Sequence, residues 1–109
     1  MINVIVHKED RATLKKRGYC FLEEKNLIIL KNKYYDTLCE IIYDNIMEQF
    51  IILTEDAAYY CEHEIIIQPL QDGIIVCMDY RNSKSHILKM KDGKFEKIDH
   101  KVIIFNEYL

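Results

Sequence analysis

The sequence predicts a single α+β domain, in which one long amphipathic helix packs on an antiparallel β-meander sheet of about five to seven strands. Apolar residues recur at helical spacing over residues 34–50, whereas the second half of the chain carries short apolar runs separated by turn residues. Two Asp-Gly pairs, at 72–73 and 92–93, favour tight hairpins between such runs. With 109 residues, 50% of them hydrophobic, we expect residues 1–109 to form one globular domain around one core.

The first third of the chain predicts short elements. A strand is expected at 2–6, followed by a polar, basic stretch at 8–17 with one loose helical turn that ends at Gly18, a residue suited to the position after a helix C-terminus. Residues 19–23 and 27–31 predict a hairpin. Its second strand is apolar without alternation, which indicates that both faces of that strand are covered.

The predicted long helix spans residues 34–50. Its apolar side chains fall in one arc at about 100° per residue. That arc comprises Tyr35, Leu38, Cys39, Ile42, Tyr43, Ile46 and Phe50. Further strands are expected at 51–54, within 58–68, and at 74–80, 85–90, 95–98 and 102–105.

Charge is strongly segregated along the chain. The net charge is −3, but residues 34–80 contain no Lys or Arg and ten of the 18 acids. The flanking segments hold all 15 Lys and Arg residues, so they are basic while the centre is acidic. This segregation is the least ordinary feature of the sequence, and it suggests where a charged partner would bind.

Four acids of the predicted helix form what we call the acidic stripe. They recur at every fourth position, and each such step turns about 40° around a helix, so they would lie together opposite the apolar arc. The acidic stripe consists of Asp36, Glu40, Asp44 and Glu48. Such a face is most often simply solvated. As a functional hypothesis, it is a docking surface for a basic protein, such as a nuclease or a nucleic-acid-binding machine.

The basic flanks support an alternative, a nucleic-acid-binding module. Its candidate contacts, which we call the C-terminal lysines, are Lys84, Lys89, Lys91, Lys94 and Lys97. They could follow a phosphate backbone while nearby aromatic rings stack on bases. The isoelectric point of about 5.8 lies well below that of typical modules of this kind. Lysines on exposed strands also commonly protect a sheet against aggregation.

No pattern in the sequence predicts catalysis, a cofactor or a metal. Cys61 and His63 form a Cys-x-His pair with no second pair close in sequence, so we expect no metal site. Paired acids such as Glu55 and Asp56 leave a third hypothesis open, a small metal-dependent hydrolase or nuclease. The sequence contains no phosphate-binding glycine loop and no activated thiol, and we therefore consider an enzyme less favoured than a binding protein.

Compartment and source are inferred from composition. The first residues lack the features of a signal peptide, and no apolar run approaches the ~20 residues that cross a bilayer, so we expect a cytoplasmic protein of a bacterial or host cell. The four cysteines are then expected to be reduced. Heavy use of Ile, Lys, Tyr and Asn is typical of AT-rich bacterial, phage or viral genomes.

The sequence-based hypothesis is therefore a small non-enzymatic protein-binding factor of the inhibitor or immunity type, which could be encoded by a phage, a virus or a mobile element. Residues 72–79 and 105–109 resemble the last strands and the tail of one class of bacterial immunity proteins. The resemblance spans less than half of the chain and uses common residues, so no family is assigned. Complementary acidic and basic regions also make a homodimer a reasonable expectation.

Overall fold

The computed structural model describes residues 3–62, 64–71, 73–78, 86–91 and 94–98. Within these ranges the chain forms one helix and ten strands. In chain order they are β1 (Asn3–Ile5), α1 (Lys8–Lys16), β2 (Cys20–Glu24), β3 (Leu27–Lys31), β4 (Thr37–Asp44), β5 (Gln49–Leu53), β6 (Ala58–Cys61), β7 (Glu64–Leu70), β8 (Gly73–Met78), β9 (His86–Lys91) and β10 (Lys94–Ile98).

The strands form two five-stranded sheets. Sheet I has the order β1-β7-β8-β9-β10, and its pairs are antiparallel except for the parallel pair β1–β7. Sheet II is an antiparallel meander with the order β2-β3-β4-β5-β6. The chain therefore begins in sheet I, completes sheet II, and then returns to sheet I.

One hydrophobic core joins the two sheets, as in a β-sandwich. Side chains at alternate positions of each sheet enter it, and α1 contributes one more. The buried cluster comprises Leu14 from α1, Leu30, Cys39, Ile41, Phe50, Ile52 and Cys61 from sheet II, and Ile65, Ile67, Ile74, Val76 and Leu88 from sheet I. Each of these side chains is almost completely excluded from solvent.

Helix α1 connects an edge of sheet I to an edge of sheet II. It follows β1, packs against β7, and leads into β2. The guanidinium of Arg17 donates hydrogen bonds to the backbone carbonyls of Leu70 and Gly73, which fixes the end of the helix to the β7–β8 hairpin. The helix has nine residues, and the described part of the chain holds no helix that is long and apolar enough to cross a membrane.

The predicted α+β class is wrong, because residues 34–50 form no helix. They form a loop, strand β4, a turn and the beginning of β5, and the described chain is mainly β with a single short helix. The physical reason is β propensity: Ile41, Ile42 and Tyr43 are β-branched or aromatic and favour a pleated strand over a helix. The alternation of a strand also accounts for the burial of Ile41. This residue is 2% exposed, although it lies outside the predicted helical arc.

A polar turn separates the two strands that replace the predicted helix. The Asp44 carboxylate accepts hydrogen bonds from the backbone N–H groups of Ile46 and Met47, at 2.9 and 3.2 Å. Such side-chain-to-backbone bonds compete with helix formation and favour turns. The turn brings Tyr43 and Phe50 together with their ring centroids 5.1 Å apart in an edge-to-face arrangement. That contact stabilises the hairpin by burying aromatic surface.

Several other predicted elements are confirmed. The hairpin of β2 and β3 and the β7–β8 hairpin at the first Asp-Gly pair are present. The single helical turn expected before Gly18 is in fact the nine-residue helix α1. Strands β9 and β10 pair as the second Asp-Gly pair predicts. The strand predicted at 102–105 lies outside the described residues.

Gly18 supplies a specific test of this fold. Its φ of +95° lies in the left-handed region, and an added Cβ would approach the Cβ of Lys33 to 2.5 Å. We expect Gly18→Ala to lower the free energy of unfolding by about 2 kcal/mol, measured by urea denaturation. The same change in a Lys33→Gly background should cost less, because the steric contact is removed. An unchanged urea midpoint in Gly18→Ala would contradict the structure.

Candidate functional site

The candidate site is the face of sheet II that points away from the core. We call it the outer face. Along each strand of sheet II, side chains alternate between the core and this face. The outer face carries a group of apolar side chains, namely Leu22, Leu27, Ile29, Ile42, Ile51, Leu53, Ala58 and Tyr60.

Strand register makes this apolar group continuous. Leu27 lies opposite Ile42, which lies opposite Ile51, which in turn lies opposite Tyr60. A second row, displaced by two residues along each strand, runs from Leu22 through Ile29, Glu40 and Leu53 to Ala58. Directly opposed side chains in adjacent strands are about 5 Å apart at Cβ, so each row forms one uninterrupted surface.

The two faces of sheet II differ sharply in burial. On the core side, Leu30 and Ile52 have no exposed area. On the outer face, Leu22 is 40% and Tyr60 is 58% exposed, and Leu27, Ile29, Ile42, Ile51 and Leu53 are partly buried. The described part of the chain thus leaves an apolar surface partly open to water, at a free-energy cost that a partner covering it would recover.

Glu40 is the acid at the centre of the outer face. Its cross-strand neighbours are Ile29 on β3 and Leu53 on β5, so a half-buried carboxylate sits among apolar side chains. The same carboxylate contributes to the shift of its core-facing neighbour. Burial raises the pKa of the Cys39 thiol to about 12, with a smaller contribution from Glu40.

The predicted acidic stripe does not exist as a helical face, because its four residues occupy two loops and a strand. Glu40 and Asp44 do lie together on the outer face of β4. Asp44 is half-buried and holds the β4–β5 turn through its carboxylate. Glu48 is in that turn with a left-handed φ of 53°, and Asp36 is exposed in the β3–β4 loop at the other end of β4. Only half of the predicted stripe therefore shares a surface.

Electrostatically, the outer face is acidic. Among the side chains that it presents, the carboxylates are Glu24, Glu40 and Asp44, and the cation is Lys31. The Lys31 ammonium donates to the Tyr35 carbonyl at 3.3 Å and lies 5.3 Å from the Tyr35 ring centroid, which draws it towards the β3–β4 loop. The centre of the face thus combines apolar side chains with uncompensated negative charge.

The C-terminal lysines do not form a basic surface that the structure describes. Lys89 lies opposite Glu96 across β9 and β10, and the Lys94 ammonium is 3.7 Å from the Glu55 carboxylate. Lys84 and the side chains of Lys91 and Lys97 lie outside the described residues. The two lysines that can be placed are therefore close to acids.

The described residues bring together no metal-binding cluster. Among them, no group of three or more His, Cys, Asp and Glu side chains could hold a metal ion. Cys61 is buried, and its thiol contacts the Glu64 carbonyl at 3.6 Å, while His63 lies outside the described residues. Of the predicted acid pair, Glu55 lies 3.7 Å from the Lys94 ammonium.

The sequence analysis did not predict the outer face, because it assigned residues 34–50 to a helix and not to strands of a sheet. The available signal was the absence of alternation in residues 27–30, 41–42 and 50–53. For β3 this pattern predicted cover on both faces, yet Leu27 and Ile29 stay partly exposed in the described structure.

No protein-family model matches the chain, and no curated protein or solved structure shows significant similarity to it.

Cys39 provides a test of the burial on the core side. Its thiol is expected to resist alkylation by iodoacetamide at mildly alkaline pH, whereas the partly exposed thiol of Cys20 should react, as peptide mapping by mass spectrometry would reveal. Equal rates at the two thiols would contradict the core assignment.

The same thiol predicts an alkaline loss of stability. The unfolded chain ionises Cys39 from its ordinary pKa of 9.0, whereas the folded protein keeps the proton until about 12. The stability that the protonated Cys39 thiol contributes to the folded state is therefore fully present below pH 9. It is lost as the pH rises from 9 towards 12. A Cys39→Ala variant should lose this component of the alkaline slope, measured as the free energy of unfolding against pH.

Proposed function

We propose that this protein is a small non-enzymatic binding factor that docks a basic protein partner on the outer face of sheet II. The observation that carries the proposal is a continuous, partly exposed apolar surface with a carboxylate at its centre. An inhibitor or immunity-type factor acts by covering a surface of its target, and such a factor needs a surface of this kind rather than catalytic groups.

The size of the outer face suits the central part of an interface. Five strands spaced about 4.8 Å apart, each contributing about 17 Å of length, give a surface on the order of 300 Å². A standard interface buries about 800 Å² per partner, with an apolar core surrounded by a polar rim. The outer face would supply the core, and the adjoining loops and turns would supply the rim.

Glu40 is the residue that favours a basic partner. An apolar partner that covered Glu40 would remove water from a charged carboxylate and leave it unpaired, which is strongly unfavourable. A partner that places an Arg or Lys against Glu40 converts this cost into a charge-assisted hydrogen bond. Glu24 and Asp44 on the same face favour the same sign of charge. The surface thus discriminates in favour of basic partners.

The two other hypotheses have less support. The nucleic-acid-binding alternative requires free lysines along the final strands, and Lys89 and Lys94 each lie near an acid. The hydrolase alternative requires clustered ligands for a metal, and the described residues supply no such cluster. No specific observation favours either of them over docking on the outer face.

The proposal predicts which substitutions abolish binding. Ile42→Arg changes the centre of the outer face and Glu40→Lys reverses its central charge, so each should reduce affinity for the partner by a factor of ten or more. Ile46→Arg is the matched control, because Ile46 is 91% exposed in the β4–β5 turn rather than on the outer face. Thermal melts should show that all three variants remain folded.

The measurement has two stages. A partner captured from the source cell or its host is identified, purified and titrated against the three variants by calorimetry at low and high salt. Binding of a basic protein that Ile42→Arg and Glu40→Lys weaken, and Ile46→Arg does not, supports the proposal. Unchanged binding by Ile42→Arg overturns it. Sedimentation that gives a dimer of the wild type and a monomer of Ile42→Arg would overturn it too, since a second copy would then occupy the outer face.

A further inference from the structure

A pocket lies at the end of the sandwich where α1, β1 and the β2–β3 hairpin meet, mainly on the core side of sheet II, and its lining includes Glu24 and Leu27 of the outer face. Its volume is about 260 Å³. The apolar part of its lining comes from four strands and consists of Val4, Leu27, Ile28, Ile41, Tyr43 and Phe50. This volume is close to the lower end of the range for small-molecule sites, which suits a ligand on the order of ten non-hydrogen atoms.

The apolar wall of this end pocket is held in place by contacts among its own residues. Tyr43 and Phe50 pack edge to face, and the Tyr43 backbone N–H donates to the Asn26 carbonyl at 3.0 Å. Ile41 and Phe50 are 2% and 1% exposed, so they belong to the core as well as to the pocket. A ligand would therefore meet a preformed surface and would not need to order it.

Charged residues of both signs line the same pocket. Arg11 comes from α1, Glu23 and Glu24 from β2, and Lys25 from the turn of the hairpin. Arg11 is positioned by its guanidinium, which donates to the Glu23 carboxylate at 2.9 Å and lies 5.0 Å from the Phe21 ring centroid. The pocket thus offers two cations and two anions beside one apolar cavity.

The Arg11–Glu23 pair is available to a ligand. Both side chains are close to half exposed, at 46% and 49%, and an exposed pair of this kind stabilises a fold by little. One N–H···O bond joins them in the described structure, while a guanidinium carries five donors and a carboxylate accepts through two oxygens. Each partner can therefore bind a ligand group of opposite charge without losing its position.

We propose that the end pocket binds a free α-amino acid with an apolar or aromatic side chain. The ligand's carboxylate would pair with Arg11 and Lys25, its ammonium group would pair with Glu23 and Glu24, and its side chain would occupy the cavity. A ligand with a single charge pairs with only two of the four charged groups of the pocket and repels the other two. A zwitterion matches both signs, and the remaining volume suits one side chain.

This proposal does not rest on docking at the outer face, although Glu24 borders both surfaces, and it is tested by a titration with defined probes. The probes are L-phenylalanine, its carboxylate-only analogue 3-phenylpropionate, and its ammonium-only analogue phenethylamine. Binding is followed by ¹H–¹⁵N correlation spectra of the full chain. We expect saturable shifts for L-phenylalanine at residues 4, 28 and 43, and at least tenfold weaker binding of both analogues.

Variants separate binding in the pocket from other effects. Arg11→Met should weaken L-phenylalanine binding at least tenfold, whereas Lys15→Met, on the same helix but outside the pocket, should leave it unchanged. Ile28→Phe, which fills the cavity while retaining the Arg11–Glu23 pair, should abolish binding. Ile42→Arg on the outer face should have no effect.

Four results would overturn the proposal. These are the absence of saturable shifts up to the solubility limit of L-phenylalanine, equal binding of either singly charged analogue, shifts confined to the outer face, and unchanged affinity in a folded Ile28→Phe variant. Each is read from the same spectra, which also report whether the variant is folded.

Discussion

The structure depends on one constraint, which is that a chain of this size builds a single core between two sheets. Sheet II has apolar side chains on both faces of its central strands, but only one face can enter that core. Ile41 and Ile52 satisfy it from the inner side and are almost fully buried. Their neighbours Ile42 and Ile51 point the other way and remain in contact with water. The outer face is thus a direct consequence of two-faced strands in a two-layer fold.

Helix α1 closes one side of the two-sheet sandwich. It joins β1 of sheet I to β2 of sheet II, and Leu14 fills the core between them. The same connection creates the end pocket, since Val4 before the helix and Arg11 within it meet the β2–β3 hairpin. Strand β4 then contributes to both surfaces, with Tyr43 in the pocket and Ile42 on the outer face. The two surfaces share Glu24 and Leu27 at the β2–β3 hairpin, but Arg11 belongs only to the pocket and Ile42 only to the outer face, so substitutions at these two positions can leave the other surface intact.

Local signals in the sequence predicted several turns and hairpins but not the fold class. Gly18 correctly marks the end of the short helix, and the hairpin positions follow from turn residues. The helix at 34–50 was wrong because apolar residues spaced by three and four positions also fit an alternating strand that is interrupted by a turn. Ile41 and Asn45 carried the contrary signal: the first lay off the apolar arc, and the second favours turns. Tertiary packing decided between the two periods, which a single sequence cannot do.

The candidate surfaces were predicted only in part. Glu40 and Asp44 share the outer face through alternation along β4 and not through the helical spacing that the sequence analysis used. Asp36 and Glu48 were separated from them by the loops at the two ends of that strand. The end pocket was not predictable, because Val4, Arg11 and Phe50 are far apart in sequence and meet only through the return of the chain between the sheets.

The most direct test of this account compares cysteine labelling at two adjacent positions of β4. In an Ile42→Cys variant, the introduced thiol should react with a maleimide in the folded protein, because residue 42 lies on the outer face. In an Ile41→Cys variant the thiol should be protected, because residue 41 lies in the core. Peptide mapping distinguishes these thiols from the native ones. Labelling at position 41 together with protection at position 42, the result that a helix over residues 34–50 requires, would contradict the two-faced sheet on which the proposed docking depends.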